Sequence, residues 1–158
     1  MRSPHAPDRG TSITGYYLND QVKTTEDADG NLLYHRYDAA GRLWQVRQGS
    51  ETGPLLKELI YDGNGNLVQA SYDGRTFQYD FDPLQRLYAS RWWADATPQI
   101  IHATAFQYAP DHDGLQRIDY PGAGAGYAWF DYDTEGRLEV LTHHRPDATL
   151  GPKLTLEY

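Results

Sequence analysis

Cysteine is absent from all 158 positions of the sequence. No disulfide framework can hold this chain together, and no thiolate can serve it as nucleophile or metal ligand. The absence fits a reducing compartment, or a secreted bacterial protein that relies on packing alone. Long apolar runs are missing as well: none approaches the ~18 residues that suggest a membrane span. The stretch Met1 to Gly10 has no apolar segment of the kind a secretory signal carries. Its proline, glycine and charge read as the start of a loose arm over residues 1–15. The expectation is a protein that is secreted, or cytoplasmic before an export that cleaves no signal. Basic charge is in the minority too. Lys plus Arg is 14 against 22 for Asp plus Glu, a formal charge of −8. An acidic chain repels phosphate backbones, which argues against a nucleic-acid partner.

What is plentiful is the aromatic ring. The mean hydropathy is −0.73, yet there are 13 Tyr, 4 Trp and 4 Phe. Disordered chains are poor in such residues. Amphipathic rings suit strands with one wet face.

One heptad recurs: aromatic, Asp, two variable residues, Gly, Arg or Asn, Leu. It stands at full strength as Tyr37-Asp38-Ala39-Ala40-Gly41-Arg42-Leu43, as Tyr61-Asp62-Gly63-Asn64-Gly65-Asn66-Leu67 and as Tyr132-Asp133-Thr134-Glu135-Gly136-Arg137-Leu138. Weaker copies run from Glu26 to Leu32, from Phe81-Asp82 through Gln85 to Arg86-Leu87, and from His112-Asp113 through Gln116 to Arg117-Ile118. The aspartates fall at 27, 38, 62, 82, 113 and 133, so the basic unit is about 20 residues with insertions. The turn after Tyr108 looks four residues longer than the others, and Gln85 and Gln116 take the place of the turn glycine.

The spacing has a local physical cause. An Asp side chain can accept from backbone N–H groups two residues on, and Gly accepts a positive φ, so Asp-x-x-Gly is turn chemistry. The aromatic before it closes one strand and the Leu after it opens the next. Upstream strands alternate with period two: Phe77, Tyr79 and Phe81 on one face, and likewise Leu33, His35 and Tyr37, then Phe106 and Tyr108, then Ala128, Phe130 and Tyr132. Each hairpin thus gains an aromatic face and a more polar one. Because a lone hairpin is marginal in water, successive hairpins are expected to stack side by side. The predicted fold is all-β: consecutive antiparallel β-hairpin repeats over residues 16–158, forming a curved open sheet.

The motif and its spacing resemble the YD repeat of Rhs proteins, of the toxin-shell components of insecticidal Tc complexes, and of the animal teneurins. The resemblance covers roughly residues 20 to 158. It implies a long β-strip that spirals into a hollow shell, which in bacterial members encloses a polymorphic toxin. It further implies protein partners: the rest of the shell and the toxin cargo. That family ends its shell with an Asp-Pro-x-Gly self-cleavage signature. Here Asp82-Pro83 is followed by Leu84-Gln85. The glycine is missing, so protease function is not carried onto Asp82.

Sharper chemical readings fare poorly. Asp27-Ala28-Asp29-Gly30-Asn31 and Asp62-Gly63-Asn64-Gly65-Asn66 open like calcium loops, but position six is Leu32 or Leu67 and position twelve lacks the bidentate Glu. A hairpin turn explains every residue. The six histidines have no metal-ligand spacing, and His143-His144 fall on opposite sides of a strand. The run Gly122 to Gly126 lacks the Lys-Ser/Thr and the helix of a phosphate loop, and reads as a hairpin connection. No metal, no cofactor and no catalytic residue is expected. Trp92-Trp93 place one ring on each face of a strand, and the outward ring leaves a carbohydrate-binding surface as the alternative to a scaffold. Finally, the run Leu154-Thr155-Leu156-Glu157-Tyr158 reads as another upstream strand that stops inside a repeat. The array is therefore expected to continue beyond it, or to self-associate through this edge by strand addition.

Overall fold

The computed structural model describes residues 13–156 apart from 112, 123 and 148. The fold is all-β, with no helix among the described residues. Its first strands are β1 (Ile13–Tyr16), β2 (Val22–Glu26), β3 (Leu32–Tyr37), β4 (Leu43–Gln48), β5 (Leu55–Tyr61) and β6 (Leu67–Tyr72). They continue as β7 (Arg75–Phe81), β8 (Leu87–Ala94), β9 (His102–Tyr108) and β10 (Leu115–Asp119), then β11 (Tyr127–Tyr132), β12 (Leu138–His144) and β13 (Leu150–Thr155). The strand order is the chain order, β1 to β13, as the hairpin reading predicts. The described pairings are antiparallel, and none joins β1 to β13, so the sheet is open.

Two compact units divide the chain: Met1–Ile60 with Ala70–Asp73, and Tyr61–Gln69 with Gly74–Tyr158. In the first, the turns 17–21 and 38–42 lie on one edge and the turn 27–31 on the other, since successive hairpin turns alternate between edges. In the second, the turns at 62–66, 82–86, 109–114 and 133–137 share one edge. The connections 95–101, 120–126 and 145–149 share the opposite one. The arm expected over residues 1–15 falls mostly outside the described residues, and its last three residues belong to β1. Likewise Glu157 and Tyr158 lie outside them. Leu156 follows β13, and its backbone N–H donates to the Glu139 carbonyl at 2.9 Å.

The repeat is best defined by register. Tyr37 sits opposite Leu43, Phe81 opposite Leu87 and Tyr132 opposite Leu138, each just after a register shift that leaves one extra residue, Trp44, Tyr88 or Glu139, as a β-bulge in the downstream strand. Bulges sharpen local twist and re-aim side chains. By this criterion two copies differ from the sequence reading. Tyr16 faces Val22 after the same bulge, with Tyr17 in the Asp position and Asp20, at φ 62°, in the Gly position. That copy is invisible to a search that starts from Asp. Tyr108 faces Leu115, and the Ala109 N–H bonds the Gly114 carbonyl at 3.0 Å, so Ala109 replaces the aspartate. The copy expected at Asp113 to Ile118 is therefore corrected: Gln116 and Arg117 lie within β10, and the turn is one residue longer than usual, not four. The aspartate at 27 does close a turn, but on the edge opposite to the others of its unit.

A single sheet layer leaves little that is fully buried. Among the described residues Val46, Ala70, Ala109 and Ala128 are the buried apolar ones, and no side chain falls below 2 % exposure. Apolar residues are instead half-buried against cross-strand neighbours, which are the stabilising unit of a sheet.

Candidate functional site: motif turns and tyrosine ties

Each motif aspartate spends both oxygens on its own turn. Oδ1 of Asp38 accepts the Ala40 and Arg42 backbone N–H groups, both at 2.9 Å, while Oδ2 accepts Arg42 Nε at 2.7 Å. The same three bonds recur at Asp82, with Leu84 and Arg86, and at Asp133, with Glu135 and Arg137. At Asp62 the third donor is Asn66 Nδ2, and at Asp27 it is Asn31 Nδ2. This explains why the motif tolerates Arg or Asn at that position: either places an N–H beside Oδ2. The Asp N–H bonds the carbonyl four residues on, and the fourth residue's N–H returns to the Asp carbonyl. That geometry puts the fourth residue in the left-handed region, with φ of 78° at Gly41, 95° at Gly65 and 78° at Gly136. Gln85 holds φ 65° there without being glycine.

These bonds hold all five carboxyls below the ordinary carboxylate range. Hydrogen bonds from the Arg or Asn partner lead at each: its backbone N–H at Asp38, Asp82 and Asp133, its side-chain amide at Asp27 and Asp62. A carboxylate committed in this way is a poor calcium ligand and a poor general base. Among the described residues no group of three or more His, Asp or Glu is placed to hold a metal ion.

The aromatic of the motif performs a task that its sequence pattern conceals. Tyr37 Oη donates to the Val22 carbonyl at 3.0 Å, Tyr108 Oη to Leu87 at 2.8 Å, and Tyr132 Oη to Leu115 at 2.8 Å. Each donor closes a strand, and each acceptor opens the strand before it. The aspartate thus closes a hairpin, while the tyrosine ties that hairpin to its predecessor. Burial pushes the phenols of Tyr108 and Tyr132 up, keeping them protonated as donors. Side chains add to the ties along the turn edges. Gln21 Nε2 donates to the Gly41 carbonyl at 2.7 Å in the first unit, and Arg86 pairs with Asp113 at 3.0 Å in the second. Beside the first of these lies a cavity of about 480 Å³, lined by Tyr17, Leu18, Gln21, Arg36, Tyr37 and Asp38. The carboxylate among its described lining residues, Asp38, is already committed to Arg42.

Of the two tryptophans, Trp92 is the outward one at 36 % exposure, and Trp93 is half-buried opposite Thr76. The Trp92 ring lies in a cross-strand row with Phe77 and His102. The His102 imidazole stacks on it at 4.1 Å and 11°, and Phe77 lies 6.4 Å away at 28°. The stacked imidazole takes up ring surface that a sugar would need. His143 and His144 do separate onto opposite faces: His143 meets the Tyr120 hydroxyl at 3.0 Å, and His144 stacks on Tyr127 at 4.3 Å. In the first unit His35 lies within 3.1 Å of Thr25 Oγ1. Burial, and then Lys57, hold its imidazole below its ordinary pKa.

No family profile and no curated protein matches the chain. Solved structures do. A crystal structure of TcdB2-TccC3 lacking its hypervariable C-terminal region matches 90 % of this chain with a TM-score of 0.71 at 16 % identity. The fold is shared with Tc toxin components. A second match, the Tc holotoxin pore of Photorhabdus luminescens carrying a TccC3 variant, covers 91 % of the chain with a TM-score of 0.59 at 14 % identity. This chain spans only 8 % and 9 % of those two chains. Both are structures of toxin complexes, and what is shared at these identities is the fold.

Proposed function

We propose that the chain is a structural segment of a YD-repeat shell, a scaffold with no active site of its own. In this reading it helps to enclose or dock a toxin, in competition between bacteria or in toxin delivery. The supporting observation is the match of 90 % of the chain to a TcdB2-TccC3 structure, at a TM-score of 0.71. The site geometry agrees with it. The polar groups most often repeated, the motif aspartates, serve turn closure, and the tyrosine hydroxyls serve hairpin-to-hairpin joints. The residues that a catalytic reading would use are thus employed in building the strip. Its partners are then other stretches of the same sheet, and a protein cargo held by it. Protease challenge of the complete reading frame that carries this segment tests the proposal. Sequence enclosed by the repeats should resist cleavage until the repeats are denatured. Cleavage of every non-repeat region at the rate of an unfolded chain would overturn it.

A further inference from the structure

Three tyrosine ties follow one rule. The hydroxyl belongs to the last residue of a strand, and the acceptor is the carbonyl of the first residue of the preceding strand. One copy cannot obey it. Phe81 closes β7 in the register of the others, opposite Leu87 and just after a bulge, as Tyr132 stands opposite Leu138. By position its acceptor would be Leu67, the first residue of β6. Phenylalanine has no hydroxyl to donate.

We propose that the Leu67–Phe81 joint is the built-in weak point of the second unit, where the array opens first. The links available at that edge differ from those at the next joint. There, Tyr108 donates to Leu87, Arg86 pairs with Asp113 at 3.0 Å, and the Arg86 guanidinium lies 4.4 Å above the Tyr108 ring. At the Phe81 copy the turns are joined by an exposed amide pair, Asn66 Nδ2 to Gln85 Oε1. Gln85 makes that bond from the left-handed region, φ 65°, where a side chain other than glycine is strained. The same copy therefore lacks the half-buried tyrosine tie and relies on a strained anchor. Opening therefore begins at the motif edge, as a fray between Leu67 and Phe81. An open strand edge of this kind offers unpaired backbone groups to another strand or to a protease.

Native-state amide hydrogen exchange on the full chain tests this. The hydrogen-bonded amides nearest Leu67 and Phe81 should exchange faster than those at the Leu87–Tyr108 and Leu115–Tyr132 joints. Phe81→Tyr should slow them by roughly 2- to 12-fold, the worth of one hydrogen bond, and leave the other joints unchanged. Tyr108→Phe should accelerate the Leu87–Tyr108 joint by a similar factor. Equal protection at all three joints in the unaltered chain would overturn the proposal. So would Phe81→Tyr with no local slowing. Should that variant fail to fold, the unaltered chain and Tyr108→Phe decide the matter by themselves.

Discussion

Asp133 accepts two backbone N–H groups and a guanidinium from within five residues, so its whole contribution is local. Asp133→Ala should lower the melting temperature, and Asp133→Asn should lower it less, because the amide keeps one acceptor oxygen for the backbone. The five motif-like carboxyls give a pH dependence of definite sign. Their folded pKa values lie below the unfolded ones, so the folded state binds fewer protons in the acid range. The stabilisation is complete above the unfolded carboxylate value, near pH 4, and is lost as pH falls through the lower folded values. Urea midpoints between pH 6 and pH 2 should drop steeply below about pH 4. A flat profile would mean that the turns do not depend on ionised aspartate. Gln85 offers the opposite test. Gln85→Gly relieves left-handed strain and should raise stability by about 1 kcal/mol, measured by urea denaturation, less whatever the exposed Asn66 bond supplied.

Hairpins were legible in the sequence because their determinants are local. Period-two alternation placed Phe77, Tyr79 and Phe81 on one face, and Asp-x-x-Gly placed the turns. Joints between hairpins were not legible, because the tie from Tyr132 to Leu115 spans 17 residues and the acceptor is a backbone carbonyl. Any residue supplies that carbonyl, so no side-chain pattern announces it. The copy at Tyr16 carries no Asp signal in the sequence, and the turn after Tyr108 reads as four residues too long instead of one. Each keeps the aromatic and the aliphatic partner, while the aspartate on which the reading was anchored has become Tyr17 or Ala109. Tyr132→Phe separates the two roles of the motif aromatic. It keeps the ring and removes the donor, and should cost about 1 kcal/mol in a thermal or urea melt. Trp92 belongs to this level as well, since it stacks on His102 across the β8–β9 pair. Trp92→Ala should destabilise the chain by about 1–2 kcal/mol through the lost ring contacts. On a glycan array, neither the unaltered chain nor this variant should show specific binding. A specific signal abolished by Trp92→Ala would favour the carbohydrate reading instead.

Thirteen strands in chain order with so few buried side chains describe a layer whose stability comes from neighbour upon neighbour. In such an array each hairpin is held by its two joints, and added repeats supply burial that no single hairpin has. This is the property that a shell wall needs, and it accounts for a chain rich in rings yet poor in fully buried ones. The most direct measurement is cryo-electron microscopy of the complete reading frame that carries this segment. The account predicts β1 to β13 as a stretch of wall in a hollow β-shell, with both of its edge strands paired to further strands and enclosed space on one side. A segment standing apart as a compact globule, or a particle with a solid interior and no enclosed space, would contradict it.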